Sequence, residues 1–431
     1  MATEKKPGWW FDSLLFPEIF RTFRMAVQPS KIIVAFMTIT VICLAGWLMD
    51  FSRTVVATPD TELKVTELQV YLEAPNSLDA YLESFRDTGE RTGVFITLWD
   101  FISERYHQAL RALFDLSFTD VADHAKDCVR AIGWAIERHP VYCMIFFIIA
   151  HAAFCVAGGA ICRTAALQFA QGEKPGLTEA MRFGLKKFPS LFAAPLVPVG
   201  AILAVGSSIV LLGVVGNLPY AGEIIVAGLL LLALVAGALI AFLSIGASAG
   251  FSLMFPAIAY DGLDCYDATS RSYNYIYAKP WQMGFYTAVA AVYGSVCYVF
   301  VRLFAALLIW VTRCFIDIGI WVETDTGASK LDAIWSPARF ASLLGNHIPD
   351  PSSLSGRIAG ILVYLFLLVV VGTVVSFIVS FYFSANTIIY ALMRQIVDKT
   401  ALDTVSTDST SLAADPAITH PALNNNRPKQ L

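Results

Sequence analysis

Charge is what this chain has least of. Only 15% of its 431 residues are Asp, Glu, Lys or Arg, where a soluble domain carries about 25%. The net charge is −4, which leaves no basic field for nucleic acid and excludes it as a partner. No two of the eight cysteines form a C-x-x-C pair, so zinc ribbons and thiol redox motifs are unsupported. Cys43, Cys143, Cys155, Cys162 and Cys297 fall inside apolar runs, where a thiol acts as a small hydrophobe. Cys128 and Cys314 lie outside those runs, and a disulfide between them stays open. No metalloprotease helix, Walker phosphate loop or serine nucleophile elbow is read from the chain. Accordingly, no catalytic residue, cofactor or metal is assigned.

Apolar residues fill the space that charge leaves. They make up 57% of the chain, more than a soluble core can use. Six runs are long enough to cross a bilayer core of roughly 30 Å, which takes about 20 helical residues: approximately 32–49, 140–167, 190–216, 222–257, 282–312 and 358–392. The first begins some thirty residues into the chain, and Asp50-Phe51-Ser52-Arg53 follows it in place of a small-residue cleavage site. It reads as a retained anchor rather than a cleaved signal. The fourth and sixth, at about 36 residues, would be about 54 Å long and must tilt, break or project. Within the fourth, Ser244, Gly246, Ser248, Gly250 and Ser252 alternate with apolar residues, a pattern that lets helices approach closely.

The expected fold class is an all-α integral membrane protein. It has about six transmembrane helices, short cytoplasmic amphipathic helices and a small, mainly helical extracytoplasmic insertion. Lys and Arg concentrate in the segments before the first run, between the second and third, and after the sixth. That bias places both termini in the cytoplasm and the protein in a bacterial inner (cytoplasmic) membrane as a multi-pass protein. The expected organisation is a cytoplasmic amphipathic N-terminus (1–31), a first transmembrane helix (32–49), an extracytoplasmic insertion (50–139), a five-helix membrane domain (140–394) with an outer cap at 313–356, and a disordered cytoplasmic tail (395–431). Trp321, Trp335 and Pro337 mark the cap.

The insertion opens with an alternating stretch, Leu63 to Leu68, that suits one strand. Phe95, Leu98, Trp99, Ile102, Tyr106, Leu110 and Leu113 then recur at three- and four-residue steps, one stripe of a helix. Val129, Ile132, Gly133 and Ile136 make a second stripe. The stripes either pack on each other or lie on the membrane. Acidic residues around them favour mutual packing, because an acidic surface avoids anionic lipid.

One pattern recurs three times: a short basic amphipathic stretch, a proline, then an apolar run. Its copies are Arg21 to Lys31 with Pro29, Glu179 to Ser190 with Pro189, and Asp267 to Trp281 with Pro280. Proline suits the first helical turn, and a basic stretch suits an anionic inner surface. Either this is ordinary punctuation between membrane helices or it is a three-fold repeat of in-plane helix and helical hairpin. If it is a repeat, Phe23, Phe183 and Tyr273 share one depth. Arg24, Lys186 and Arg271 then point at headgroups or at Glu179 and Asp267.

Phe255-Pro256-Ala257-Ile258-Ala259-Tyr260-Asp261-Gly262, followed by Asp267 to Ser272 and Lys279-Pro280-Trp281, resembles a motif of bacterial polytopic membrane proteins. These are similar to the membrane domain attached to some glycerophosphodiester phosphodiesterases. The resemblance spans roughly 160–300. It implies a helical membrane domain and no hydrolytic activity, because no phosphodiesterase barrel is attached.

Ionisable groups inside apolar runs are candidate functional groups. His151 and Arg302 each fall about 16–18 Å from a run end, near mid-membrane. They are the candidate substrate-binding residues, Arg302 for an anionic group and His151 for a hydrogen bond or proton relay. Set against this, Tyr298 or helix carbonyls could simply cap Arg302, and a backbone carbonyl could hold His151. His151, Cys155 and Cys162 share one helix face, but three ligands along a single helix make a poor metal site. Arg163 is expected to snorkel to the interface.

The first functional reading is a non-enzymatic scaffold or subunit of a membrane assembly. Its expected partners are the lipid bilayer and either other membrane subunits or further copies of the chain. A second is a transporter or lipid-handling permease using the Arg302/His151 zone. A third is a membrane-embedded lipid enzyme.

Overall fold

The computed structural model of the protein describes residues 16–58, 65–86, 88–320, 331–332, 334–337, 340, 343–344 and 354–405. Helices account for almost all of it. In chain order they are α1 (Thr22–Ala26), α2 (Pro29–Met49), α3 (Glu67–Glu73), α4 (Leu78–Ser84), α5 (Val94–Phe114), α6 (Phe118–Arg138) and α7 (Pro140–Ala170). Then follow α8 (Leu177–Lys186), α9 (Phe188–Ala193), α10 (Leu196–Val215), α11 (Gly222–Asp261), α12 (Cys265–Ala278), α13 (Pro280–Gly319) and α14 (Leu354–Val397). Two three-residue strands, β1 (Val55–Ala57) and β2 (Glu90–Thr92), pair antiparallel with Val55 opposite Thr92.

Six helices are long and apolar enough to cross a membrane: α2 with the turn after it, α7, α10, α11, α13 and α14. They coincide with the six runs, and the protein is an all-α polytopic membrane protein. Proline occupies the first turn of α2, α7, α9 and α13, where its missing N–H needs no partner. The helices outrun their apolar stretches. α11 and α13 have 40 residues each and α14 has 44, so they reach about 60–66 Å.

The last helix is the axis of the bundle: α14 packs against α1, α2, α7, α11, α12 and α13. Phe377, Phe381, Phe383 and Tyr390 on it are buried against Phe255 and Tyr260 of α11 and the partly buried Phe23 of α1. Gly158 of α7 makes room, since a Cβ there would come within 2.7 Å of the Phe383 ring and 2.9 Å of Phe255. Lipid tails are as apolar as these rings, so close packing rather than burial from water drives such contacts inside a bilayer. α10 pairs with α11 as a hairpin whose side chains are mostly exposed, Leu203 and Leu231 among them.

The charged groups gather at the C-terminal end of α11. Gly262 ends that helix at φ 68°, a left-handed cap that glycine adopts without a Cβ penalty. Asp261 receives Arg271 at 2.6 Å, Arg394 at 3.2 Å and the Tyr390 hydroxyl at 2.5 Å. Arg163 donates to the Ala259 carbonyl and Lys187 to that of Gly262, so cations meet the negative helix end. Arg163, expected to snorkel, finds a helix carbonyl two residues from the end of α11. Its guanidinium also covers the Phe183 ring.

The three proline-linked stretches are all helical, as α1, α8 and α12, but they are not equivalent. Their lengths are 5, 10 and 14 residues. Arg271 pairs with Asp261 rather than with Asp267, whose backbone amide donates to the side chain of Asp264, the N-cap of α12. α8 leads first into α9, so the third span begins at Leu196 and not at 190.

In the insertion, the expected strand from Leu63 to Leu68 does not form over its described residues. Residues 63 and 64 lie outside the described residues. Thr66 makes one isolated bridge to Ala57 and then caps α3 in a capping box with Gln69. That arrangement satisfies two orphan helix amides and starts a helix where alternation suggested a strand. α5 and α6 form an antiparallel hairpin, yet the buried face of α6 is offset from the expected stripe. Ala131, Trp134 and Ala135 are buried against Val55, Leu68 and Val94, while Val129 and Ile136 stay 69% and 53% exposed. Trp134 sets the offset, since its large ring covers more area and its N–H reaches Glu67 at 3.3 Å.

All eight cysteines are free, so Cys128 and Cys314 are not joined. Leu331, Trp335 and Leu343 of the expected cap are buried; Trp321 lies outside the described residues. The disordered tail is expected from 395, but residues 395–405 are ordered; the remainder, 406–431, lies outside the described residues. α14 continues to Val397, and the next residues fold back on α11 and α12. The Tyr275 hydroxyl donates to Asp398, Tyr260 to the Leu402 carbonyl and Arg394 to that of Thr404. Buried phenols need acceptors, and this segment supplies them.

Candidate functional site

Asp50 ends α2 and is buried. Its carboxylate accepts the amides of Phe95 and Ile96 at 2.9 Å each and the Tyr142 hydroxyl at 2.8 Å. A negative group at the first turn of a helix satisfies amides that have no partner within the helix and complements the helix dipole. Gly93 lets the carboxylate in, since a Cβ there would collide with it. This contact pins the start of α5 between α2 and α7.

From that anchor, α5 runs over a cavity of about 1500 Å³. Leu98, Trp99, Ile102, Tyr106, Leu110 and Phe114 of α5 face into it. The opposite walls are Ile42 of α2, Phe147 and Phe154 of α7, Val299 of α13, and Val371, Val375 and Ile378 of α14. α5 and α6 do pack on each other, with Leu98 against the cluster around Trp134, and the same stripe also roofs a largely apolar chamber against the membrane helices.

Arg302 reaches the cavity from α13. Its Nε donates to the Phe340 carbonyl at 3.0 Å, and its Nη1 lies 2.8 Å from the Tyr298 hydroxyl and 2.6 Å from Nε2 of His107. The guanidinium also lies over the Phe340 ring, 5.4 Å from its centroid. His107 belongs to α5, and its Nδ1 lies 2.6 Å from the Ser103 carbonyl. A carbonyl only accepts, so Nδ1 carries the proton and Nε2 offers its lone pair to Arg302. Burial and the Arg302 charge hold the His107 imidazole below its ordinary value. Burial, with Tyr298 beside it, pushes the Tyr106 phenol up to about 12.

His151 lines the same cavity from α7. Its Nε2 lies 3.0 Å from the Phe192 carbonyl and so donates to it, and Cys155 Sγ sits 3.6 Å from the same nitrogen. The structure therefore brings Arg302 and His151 to one chamber. It gives His151 a backbone partner and Arg302 both Tyr298 and a carbonyl. Arg302 lies about 33 Å along α13 from Pro280 and about 26 Å from Gly319, so the end of its apolar run did not mark the end of its helix.

His107 is the residue that sequence reasoning missed. Its only local signal is its position four residues after Ser103, where the ring can reach the preceding turn's carbonyl. The serine motif also needs a correction. Gly246-Ala247-Ser248-Ala249-Gly250 spells G-x-S-x-G, but it lies inside continuous α11, and Ser248 donates to the Ser244 carbonyl at 2.9 Å. A nucleophile elbow requires a sharp strand-to-helix turn. Among the described residues no group of three His, Cys, Asp or Glu side chains could hold a metal.

No family model matches the chain, no curated protein matches it, and no solved structure matches it.

Proposed function

We propose that this membrane protein is a lipid-handling protein that holds a membrane amphiphile in the cavity beneath α5. The observation that carries the reading is the form of that cavity: about 1500 Å³ with mostly apolar walls and a polar corner at Arg302, His107 and Tyr298. Small-molecule sites commonly have about 300–1,000 Å³, so the space suits long chains better than a compact metabolite. Apolar walls suit acyl chains. The cationic corner, with Arg111 also at the rim, suits an anionic or strongly polar headgroup.

The scaffold reading draws less support. One feature that would suit a scaffold, the small-residue run of α11, serves the chain itself: Gly246 faces Tyr273 and Gly250 faces Ile276, both of α12.

The test is purification in mild detergent with native mass spectrometry of bound lipid. The wild type retains a stoichiometric amphiphile. Leu98→Trp with Val375→Trp fills the chamber and releases it while thermal stability is kept. A wild-type protein that carries no lipid, or a filled variant that carries as much, rejects the reading.

A further inference from the structure

We propose that α5 is a lid over this cavity, that His107 is its latch, and that protonation of His107 opens it. The proposal rests on the reading of the cavity as a lipid site and adds how that site is gated.

The geometry of the imidazole carries the argument. Nδ1–H is committed to the Ser103 carbonyl, so the ring joins α5 to α13 only through the Nε2 lone pair. That lone pair faces two donors, Arg302 Nη1 at 2.6 Å and the Tyr298 hydroxyl at 3.1 Å. A second ring proton would replace the acceptor with a donor and set an imidazolium against a guanidinium at contact distance. Like charges that close, away from bulk water, repel strongly.

Of the groups acting on the ring among the described residues, the Ser103 carbonyl favours the charged form, while burial, Arg302 and Arg111 oppose it. α5 contributes Tyr106 and the cationic Arg111; α13 contributes Tyr298 and Arg302; the segment after α13 contributes Phe340, whose carbonyl is occupied by Arg302. The nearest carboxylate on the same face of α5, Glu104, accepts from Gln108. Among the described residues no carboxylate accepts from the ring.

The rest of α5 is built to move once the latch opens. Its first turn is fixed by Asp50. Beyond it, Leu98 packs on the cluster around Trp134 of α6, Ile102 borders the chamber, and Tyr106 and Leu110 touch the bundle at the Tyr298 ring and the central core, contacts that opening must part. α6 travels with α5 as the other arm of the hairpin.

The sign follows from the neutral latch. The closed form holds the imidazole below its ordinary value, through burial and then Arg302. With the lid open, the ring titrates near its ordinary value of about 6.5. The closed lid keeps its full stability above that pH. It loses ground as pH falls from there toward the closed-state value, and the open-to-closed ratio rises by at most tenfold per pH unit for one proton.

The experiment uses the full chain in lipid nanodiscs, with genetically encoded spin labels at the exposed positions Val129 on α6 and Phe315 on α13. Distances are read by pulsed electron resonance from pH 8 to pH 5. We expect one short distance at pH 8 and a growing longer one below about pH 6.5. In His107→Gln, whose carbonyl oxygen can still accept from Arg302, the short distance persists at pH 5. In His107→Lys the long distance is present at pH 8. A wild-type distribution that does not change with pH overturns the proposal, as does a His107→Gln variant that opens as the wild type does. Bound lipid is counted separately. A lid that moves in a protein holding no lipid rejects the cavity reading alone. A lipid-loaded protein with an immobile lid rejects the latch alone.

Discussion

Asp50 receives the amide of Phe95 across 45 residues of sequence, at 2.9 Å, and so makes the end of α2 the N-terminal anchor of α5. Three donors converge on this buried carboxylate. Asp50→Ala leaves two helix amides and the Tyr142 hydroxyl without their acceptor, at a cost of about 1–3 kcal/mol for each group left unsatisfied. Asp50→Asn keeps one carbonyl acceptor and costs less. Thermal unfolding in detergent ranks the two, and hydrogen exchange at residues 94–100 accelerates in both. Unchanged exchange there would mean that the anchor lies elsewhere.

Tyr273 lies flat over the Cα of Gly246, where a Cβ would enter its ring. Its hydroxyl donates to the Leu243 carbonyl at 2.8 Å. Gly246→Ala therefore lowers stability by about 1–3 kcal/mol through overpacking. Paired with Tyr273→Ala, the alanine finds room. The double variant should then be less destabilised than the two single effects added together, a coupling measurable by a thermal double-mutant cycle. Strict additivity would refute the contact.

Asp261 bridges two arginines whose exposures differ. The Arg394 side chain is 11% exposed and that of Arg271 is 36% exposed. Removing the carboxylate strands both cations, and breaking a buried pair costs about 3–5 kcal/mol. The expected order of destabilisation is Asp261→Asn, then Arg394→Gln, then Arg271→Gln, read from midpoint temperatures of purified protein. Arg271→Gln as the most damaging of the three would show that the knot is organised around the other side.

For orientation, activity-reporter fusions after Lys187 and after Tyr220 should report opposite faces of the membrane, the first cytoplasmic and the second not. The prediction follows from the distribution of Lys and Arg among the connecting segments. The reverse pattern would invert the topology.

The membrane helices were legible because bilayer crossing needs length and apolarity, and both are properties of a run of residues. Proline at the start of α2, α9 and α13 was equally local. What stayed hidden depends on pairs far apart in the chain. His107 meets Arg302 across 195 residues, and no spacing rule reaches that far. Periodicity found α5 but not what it faces, because an apolar stripe reads the same over a partner helix, a bilayer or a chamber. In α6 the stripe was misplaced by the weight of one residue, Trp134. Arg302 and His151 were paired by counting from run ends, and they do share a chamber. Tyr298, four residues before Arg302 on the same helix, was within reach as its cap; Phe340 and Phe192 were not.

The central place of α14 has a consequence for how the chain is made. Translation delivers this helix after the other five candidate spans have already emerged. Until it arrives, α7, α11 and α13 have no common axis, and Phe255, Tyr260 and Phe23 lack the α14 rings they close against. The membrane must therefore carry a half-assembled intermediate whose inner faces are covered by lipid, and completion of the fold expels that lipid from the centre. A chain that stops short of residue 354 retains five of its six hydrophobic segments and can still be inserted. It would persist as an orphan with its seam open, the kind of substrate that membrane quality-control proteases recognise.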